Sequence, residues 1–221
     1  MSAVLFAAAA RLHPGDGYAL AYGSHATHPG PTSDLDLLYT GTGPLTPAAL
    51  TRLIQDVKVL HSANGLDLDE EVAYATKLYA THDDIQAATR LEGFAGATTY
   101  ATPLGDPAAL NSHGFKLRLL LNVLTTPHVF LGGDVHTYRH HVTRAERATV
   151  LLALRIADAP KLALHQAVDA LLSSPEGHTG QAWLGYQPSP HLYAVVRRGL
   201  AHLAHEHLVH VRHDEITWRP Q

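Results

Sequence analysis

The chain changes character near residue 105. Before that point short helices alternate with short strand-like runs, and from about residue 106 onward nearly every segment carries helical spacing. This division limits the fold to an α+β arrangement, with a small mixed β-sheet domain over residues 1–105 and a helical C-terminal bundle over 106–221. In the first part, Ser2–Leu12 reads as a short helix stopped by His13-Pro14-Gly15, and Tyr18–Tyr22 as a strand. Asp34–Thr40 alternates polar and apolar residues and predicts a second strand. Thr46-Pro47 supplies an N-cap and a first-turn proline for a helix with apolar positions at Leu50, Leu53, Ile54, Val57 and Leu60. A long extended run, Leu66–Tyr79, and a short helix, Asp83–Arg90, follow. In the second part helices are expected over Phe115–Leu124, Thr143–Ala157 and Lys161–Leu172, with a last one opened by Ser189-Pro190.

Composition narrows the chemistry. With 221 residues the chain can bury a core without cross-links, and it has no cysteine, which removes thiolate nucleophiles, disulfides and Cys-ligated metals. The formal charge of −4 argues against a broad nucleic-acid surface, which needs a concentrated basic face. No apolar run approaches the roughly 20 residues that span a bilayer. The apolar stretch Ala3–Ala10 lacks a basic leader, so the expected location is the cytoplasm.

The segment that carries chemistry runs from Tyr22-Gly23-Ser24 to Asp34-Leu35-Asp36-Leu37. Carboxylates two apart on a strand face the same way, while Leu35 and Leu37 face the core. Two such charges repel unless a cation neutralises them, and hard carboxylate oxygens suit Mg²⁺. A Gly-Ser turn just before them lets backbone N–H groups and a hydroxyl approach a polyphosphate. Together these features point to a nucleoside triphosphate site.

The same segment resembles the signature of the DNA polymerase beta-like nucleotidyltransferase superfamily: a hydrophobic residue, Gly-Ser, a loop, then Asp-hydrophobic-Asp-hydrophobic. The loop here is His25 to Ser33, nine residues. The resemblance covers the first hundred residues and is nearest in style to minimal and aminoglycoside-type nucleotidyltransferases, which join this small domain to a helical region. It implies that Gly23 and Ser24 hold the β- and γ-phosphates and that Asp34 and Asp36 hold Mg²⁺. The implied reaction moves a nucleoside monophosphate to an acceptor hydroxyl, with two metals about 3.5–4 Å apart. A small-molecule acceptor is favoured. The alternatives are a protein or RNA acceptor, as in relatives acting in toxin–antitoxin pairs, or a non-catalytic scaffold of the same fold, and a homodimer stays open.

The superfamily also implies a third carboxylate on a later strand. Asp67, Asp69 and Glu71 alternate along the extended run and share one face, with Asp69 narrowly preferred over Asp67. Lys77, further along, either neutralises the triphosphate or is a solvated surface lysine. His25 and His28 lie in the motif loop and read as exposed loop residues. The C-terminal series His202, His205, His207, His210 and His213 misses the His-Glu-x-x-His spacing by one residue and reads as solvated helix histidines.

Overall fold

The structure is a computed structural model that describes residues 3–23, 35–66, 77–92, 113–172 and 188–218. Its centre is a four-stranded mixed sheet built from β1 (Tyr18–Tyr22), β2 (Asp36–Gly41), β3 (Tyr79–Thr81) and β4 (Val129–Gly133), in the order β3-β2-β1-β4. β1 runs antiparallel to both β2 and β4, while β3 lies parallel to β2 with Tyr39 opposite Tyr79. Seven helices are seen among the described residues: α1 (Ala3–Arg11), α2 (Pro47–Ala63), α3 (His82–Thr89), α4 (His113–Thr125), α5 (Val135–Ala157), α6 (Leu164–Leu172) and α7 (Pro190–His205). A second sheet joins β5 (Lys161–Ala163), β6 (Val209–Arg212) and β7 (Glu215–Trp218), in the order β5-β7-β6. The fold is thus mixed α/β with a small mixed sheet, and no helix among the described residues is long and apolar enough to cross a membrane.

The sheet is buried on both faces, and strand alternation sorts its side chains between two apolar clusters. Ala19, Ala21, Leu37 and Tyr39 pack with Leu5 of α1 and Leu53 and Val57 of α2. Tyr18, Leu20, Tyr22 and Leu38 turn the other way, into a cluster that continues through α3, α4, α5, α6 and α7. The long α5 is the hub of that layer and contacts α3, α4, α6 and α7.

Local signals explain most of the helix starts. Thr46 accepts a hydrogen bond from the Ala49 N–H at 3.2 Å with Pro47 in the first turn, as the sequence predicts. Ser189 does the same for Leu192, ahead of Pro190. Thr81 and Asp84 form a reciprocal capping box at the start of α3.

Four features depart from the expected pattern. β4 lies beyond residue 105 yet completes the first sheet beside β1, because the short run Val129–Leu131 is too brief for periodicity to separate strand from helix. α5 begins at Val135, eight residues before the expected start, capped by Asp134, which accepts from the N–H groups of His136 and Thr137. Residues Lys161–Ala163 form a strand rather than a first helical turn. The last histidines do not continue α7: the helix ends at His205, and β6 and β7 make a hairpin whose turn residues His213 and Asp214 both have positive φ, 51° and 63°. Two successive left-handed residues define the tight turn that matches strand twist, usually signalled by Asn-Gly or Asp-Gly.

A polar seam joins the sheet to α5. His141 of α5 is buried, its Nδ1 lies 3.0 Å from the Tyr18 hydroxyl, and its ring meets the His82 ring edge-on at 5.1 Å. Burial, with help from His82, His140 and Arg144 and against Asp134, pulls the His141 pKa from 6.5 down to about 4. The unfolded chain therefore binds the proton first as pH falls. Stability is complete above pH 6.5 and is lost progressively down to about pH 4, by on the order of 3 kcal/mol. Urea unfolding at pH 7 and 4.5 should show that loss, and it should shrink in His141→Asn, whose amide reaches the Nδ1 position and keeps a partner for Tyr18. An equal loss in both proteins would assign the acid sensitivity to other groups.

Candidate active site

The site forms where β1 ends and β2 begins. β1 is short and apolar and stops at Tyr22; Gly23 then turns the chain with φ +70°, in the left-handed region where a side chain is strained. β2 begins at Asp36, directly across the antiparallel ladder from Tyr22. Opposite residues of such a pair project to the same face. Asp36 therefore shares a face with Tyr22 and Leu38, on the side where the C-terminal helices are layered.

The two residues of the motif meet closely. A Cβ built on Gly23 would overlap Asp36 Oδ2 and lie 3.2 Å from Asp36 Cγ. The carboxylate thus lies over the glycine Cα, in space that any other residue at position 23 would occupy. The backbone angle favours glycine here, and any side chain at position 23 would have to push the end of the Asp36 side chain aside. A carboxylate beside a glycine turn is a hard-oxygen donor next to main-chain amides, and its donor chemistry fits a magnesium–polyphosphate unit.

No family model, curated protein or solved structure matches this chain. The reading of the site therefore stands on its residues.

Leu35, which enters β2, is held from two sides. Its side chain is buried in the cluster with Leu53, Val57 and Leu78. Its backbone N–H lies outside the ladder and donates to Nε2 of His61 at 3.1 Å. His61, in the last turn of α2, is 1% exposed, and its Nδ1 lies 2.9 Å from the Val57 carbonyl. A carbonyl only accepts, so Nδ1 carries the proton and Nε2 offers the lone pair to Leu35. The sequence reading left His61 out. Its signal was position: four residues after Val57, it falls on the apolar face of α2.

The other candidates are placed as follows. Lys77 is half-buried just before Leu78 and β3. Because β3 is parallel to β2, the chain enters both strands at the same end of the sheet, and Lys77 lies toward the Asp36 end. Ser24, His25, His28, Asp34, Asp67, Asp69 and Glu71 lie outside the described residues. Among the described residues no three His, Asp or Glu side chains gather into a metal-binding group. Of the C-terminal histidines, His205, His207, His210 and His213 are exposed, and they divide between the end of α7, a turn, β6 and the hairpin tip.

A cleft at the opposite end of the parallel strands is lined by Thr42, Leu50, Tyr79, Asp83, Asp84 and Lys116. Within it Lys116 Nζ lies 2.7 Å from Asp84 Oδ2. Burial pushes the Asp84 carboxyl up, but bonds from Lys116 and Thr81 outweigh it and hold the group below its ordinary value. That pairing caps α3 and ties it to α4.

Proposed function

We propose that the chain is a Mg²⁺-dependent nucleotidyltransferase that transfers a nucleoside monophosphate from a nucleoside triphosphate to a hydroxyl-bearing acceptor, a small molecule being favoured. One observation carries the reading: the Asp36 carboxylate lies over Gly23, so the glycine turn and the Asp-x-Asp strand of the motif meet at one point.

In this reading Gly23, with Ser24 after it, offers backbone N–H groups and a hydroxyl to the phosphates, and Asp36 with Asp34 holds the cation. Mg²⁺, when bound, supplies charge neutralisation and a lowered pKa for the acceptor hydroxyl. The acceptor oxygen forms a bond to the α-phosphorus, the bond from that phosphorus to the bridging oxygen breaks, and pyrophosphate leaves. The hydroxyl proton passes to a carboxylate or to water. Asp69 or Asp67 is the candidate third carboxylate, and Lys77 a candidate to offset charge on the leaving pyrophosphate.

The direct test is calorimetry with ATP, GTP, CTP and UTP, with and without Mg²⁺, followed by pyrophosphate release and mass spectrometry of candidate acceptors. Mg²⁺-dependent binding with turnover supports the assignment. Binding without turnover on any acceptor would favour a scaffold, and no Mg²⁺-dependent binding would overturn the assignment.

A further inference from the structure

The structure assigns His61 a positioning role: its Nε2 anchors the Leu35 backbone and thereby sets how Asp36 is presented beside Gly23 to a divalent cation. The inference rests on the nucleotidyl-transfer reading and extends it to a residue on a different element. Asp36 is the first residue of β2, and the β1–β2 register of the described residues begins with it, opposite Tyr22. A strand end of this kind frays unless another group holds it. Leu35 is 2% exposed, so its N–H must find a partner or remain buried without one. His61 supplies that partner, and the bond from its own Nδ1 to Val57 fixes both the tautomer and the ring plane. The chain Val57 carbonyl, imidazole, Leu35 N–H, Asp36 carboxylate therefore links the rigid interior of α2 to the candidate ligand.

Groups that orient a metal ligand from behind it alter metal affinity without touching the metal, commonly by about 10–100-fold on substitution. Here the orienting bond acts through the backbone of the preceding residue, where a displacement of a few tenths of an ångström moves Asp36 against Gly23. The carboxylate lies close over the Gly23 Cα, so such a displacement changes the pair directly.

The test uses the full chain and four variants: His61→Leu, which keeps the volume and removes both bonds; His61→Gln, whose amide oxygen reaches the Nε2 position; His61→Asn, which reaches only the Nδ1 position; and Leu171→Ala, which weakens the core of the helical layer and touches neither Leu35 nor His61. The probe is Mn²⁺ with inorganic tripolyphosphate, which carries no base, read by electron paramagnetic resonance on proteins shown to be folded by circular dichroism. His61→Leu should weaken Mn²⁺ binding by about tenfold or more, and His61→Gln should restore most of it. Leu171→Ala should bind Mn²⁺ as the unsubstituted chain does, despite a lower unfolding temperature. Amide exchange at Leu35 should accelerate in the Leu and Asn variants and not in Gln. If His61→Leu does not fold, the Gln–Asn difference carries the test alone. Unchanged Mn²⁺ affinity in His61→Leu, equal affinity in Gln and Asn, or an equal loss in Leu171→Ala would overturn the positioning role. Absence of Mn²⁺–tripolyphosphate binding in the unsubstituted chain would instead overturn the nucleotidyl-transfer reading, and the inference with it.

Discussion

Replacing Asp36 with asparagine is expected to lower nucleotidyl transfer by about 1,000-fold, the scale of removing one preorganised electrostatic group from a reacting phosphate, while the fold stays intact. Asparagine matches aspartate in shape, so the space over Gly23 is filled as before. What is lost is a full negative charge and one hard oxygen donor, and a neutral amide is a poor substitute toward Mg²⁺. Asp36 lies at the first position of β2, half-buried and outside both apolar clusters. Its neutralisation therefore removes no packing. It also removes a charge placed two residues from that of Asp34, so the unfolding temperature should be unchanged or slightly raised. Single-turnover transfer at saturating Mg²⁺, with thermal unfolding of both proteins, makes the comparison. Unchanged turnover in Asp36→Asn would remove the carboxylate from the reaction and the proposed activity with it.

The first half of the chain was legible because its signals are local. Thr46-Pro47 specifies a helix start through one side-chain acceptor and one fixed φ, and α2 begins there. The period-two alternation around Leu37 and Tyr39 fixes which residues face α1 and α2, and β2 follows it. The second half was less legible where structure depends on partners distant in sequence. Val129–Leu131 becomes a strand because β1, more than a hundred residues earlier, offers a free edge. The hairpin β6–β7 turns on His213-Asp214, residues that seldom announce two left-handed positions, and it is completed by β5 from across the helical layer.

Within the candidate site, what could be read was composition and spacing: Gly23, Asp34 and Asp36 in order, with apolar residues between them. Spacing alone does not say that Gly23 and Asp36 touch. That contact arises from the antiparallel register that sets Tyr22 opposite Asp36, a consequence of pairing rather than of either segment. His61 escaped notice for a similar reason. As one residue on a helix it is an unremarked polar interruption near a C-terminus, and its role is defined by the two atoms it bonds, one local and one 26 residues away.

Gly23→Val is expected to damage both stability and triphosphate binding, and a double substitution separates the two causes. At φ +70° a β-branched residue is strained by about 1–3 kcal/mol irrespective of its surroundings. Its Cβ must also push aside the end of the Asp36 side chain, which is half-buried and can swing away at a smaller cost. The first cost belongs to residue 23 alone, whereas the second needs both side chains. In the background Asp36→Ala the carboxylate is absent, so Gly23→Val should retain the backbone strain and lose the overlap. Urea unfolding of the four proteins should then give a coupling energy of about 0.5 kcal/mol, the low end of the range for residues in contact. Calorimetry should show triphosphate affinity reduced by about tenfold or more in Gly23→Val, because the turn that admits the phosphates is crowded and the ligand beside it displaced. Affinity should not return in the double variant, which regains stability without regaining a cation ligand. Strictly additive stabilities would mean that residue 23 and the carboxylate do not meet in solution, and unchanged affinity in Gly23→Val would place the phosphates elsewhere on the molecule.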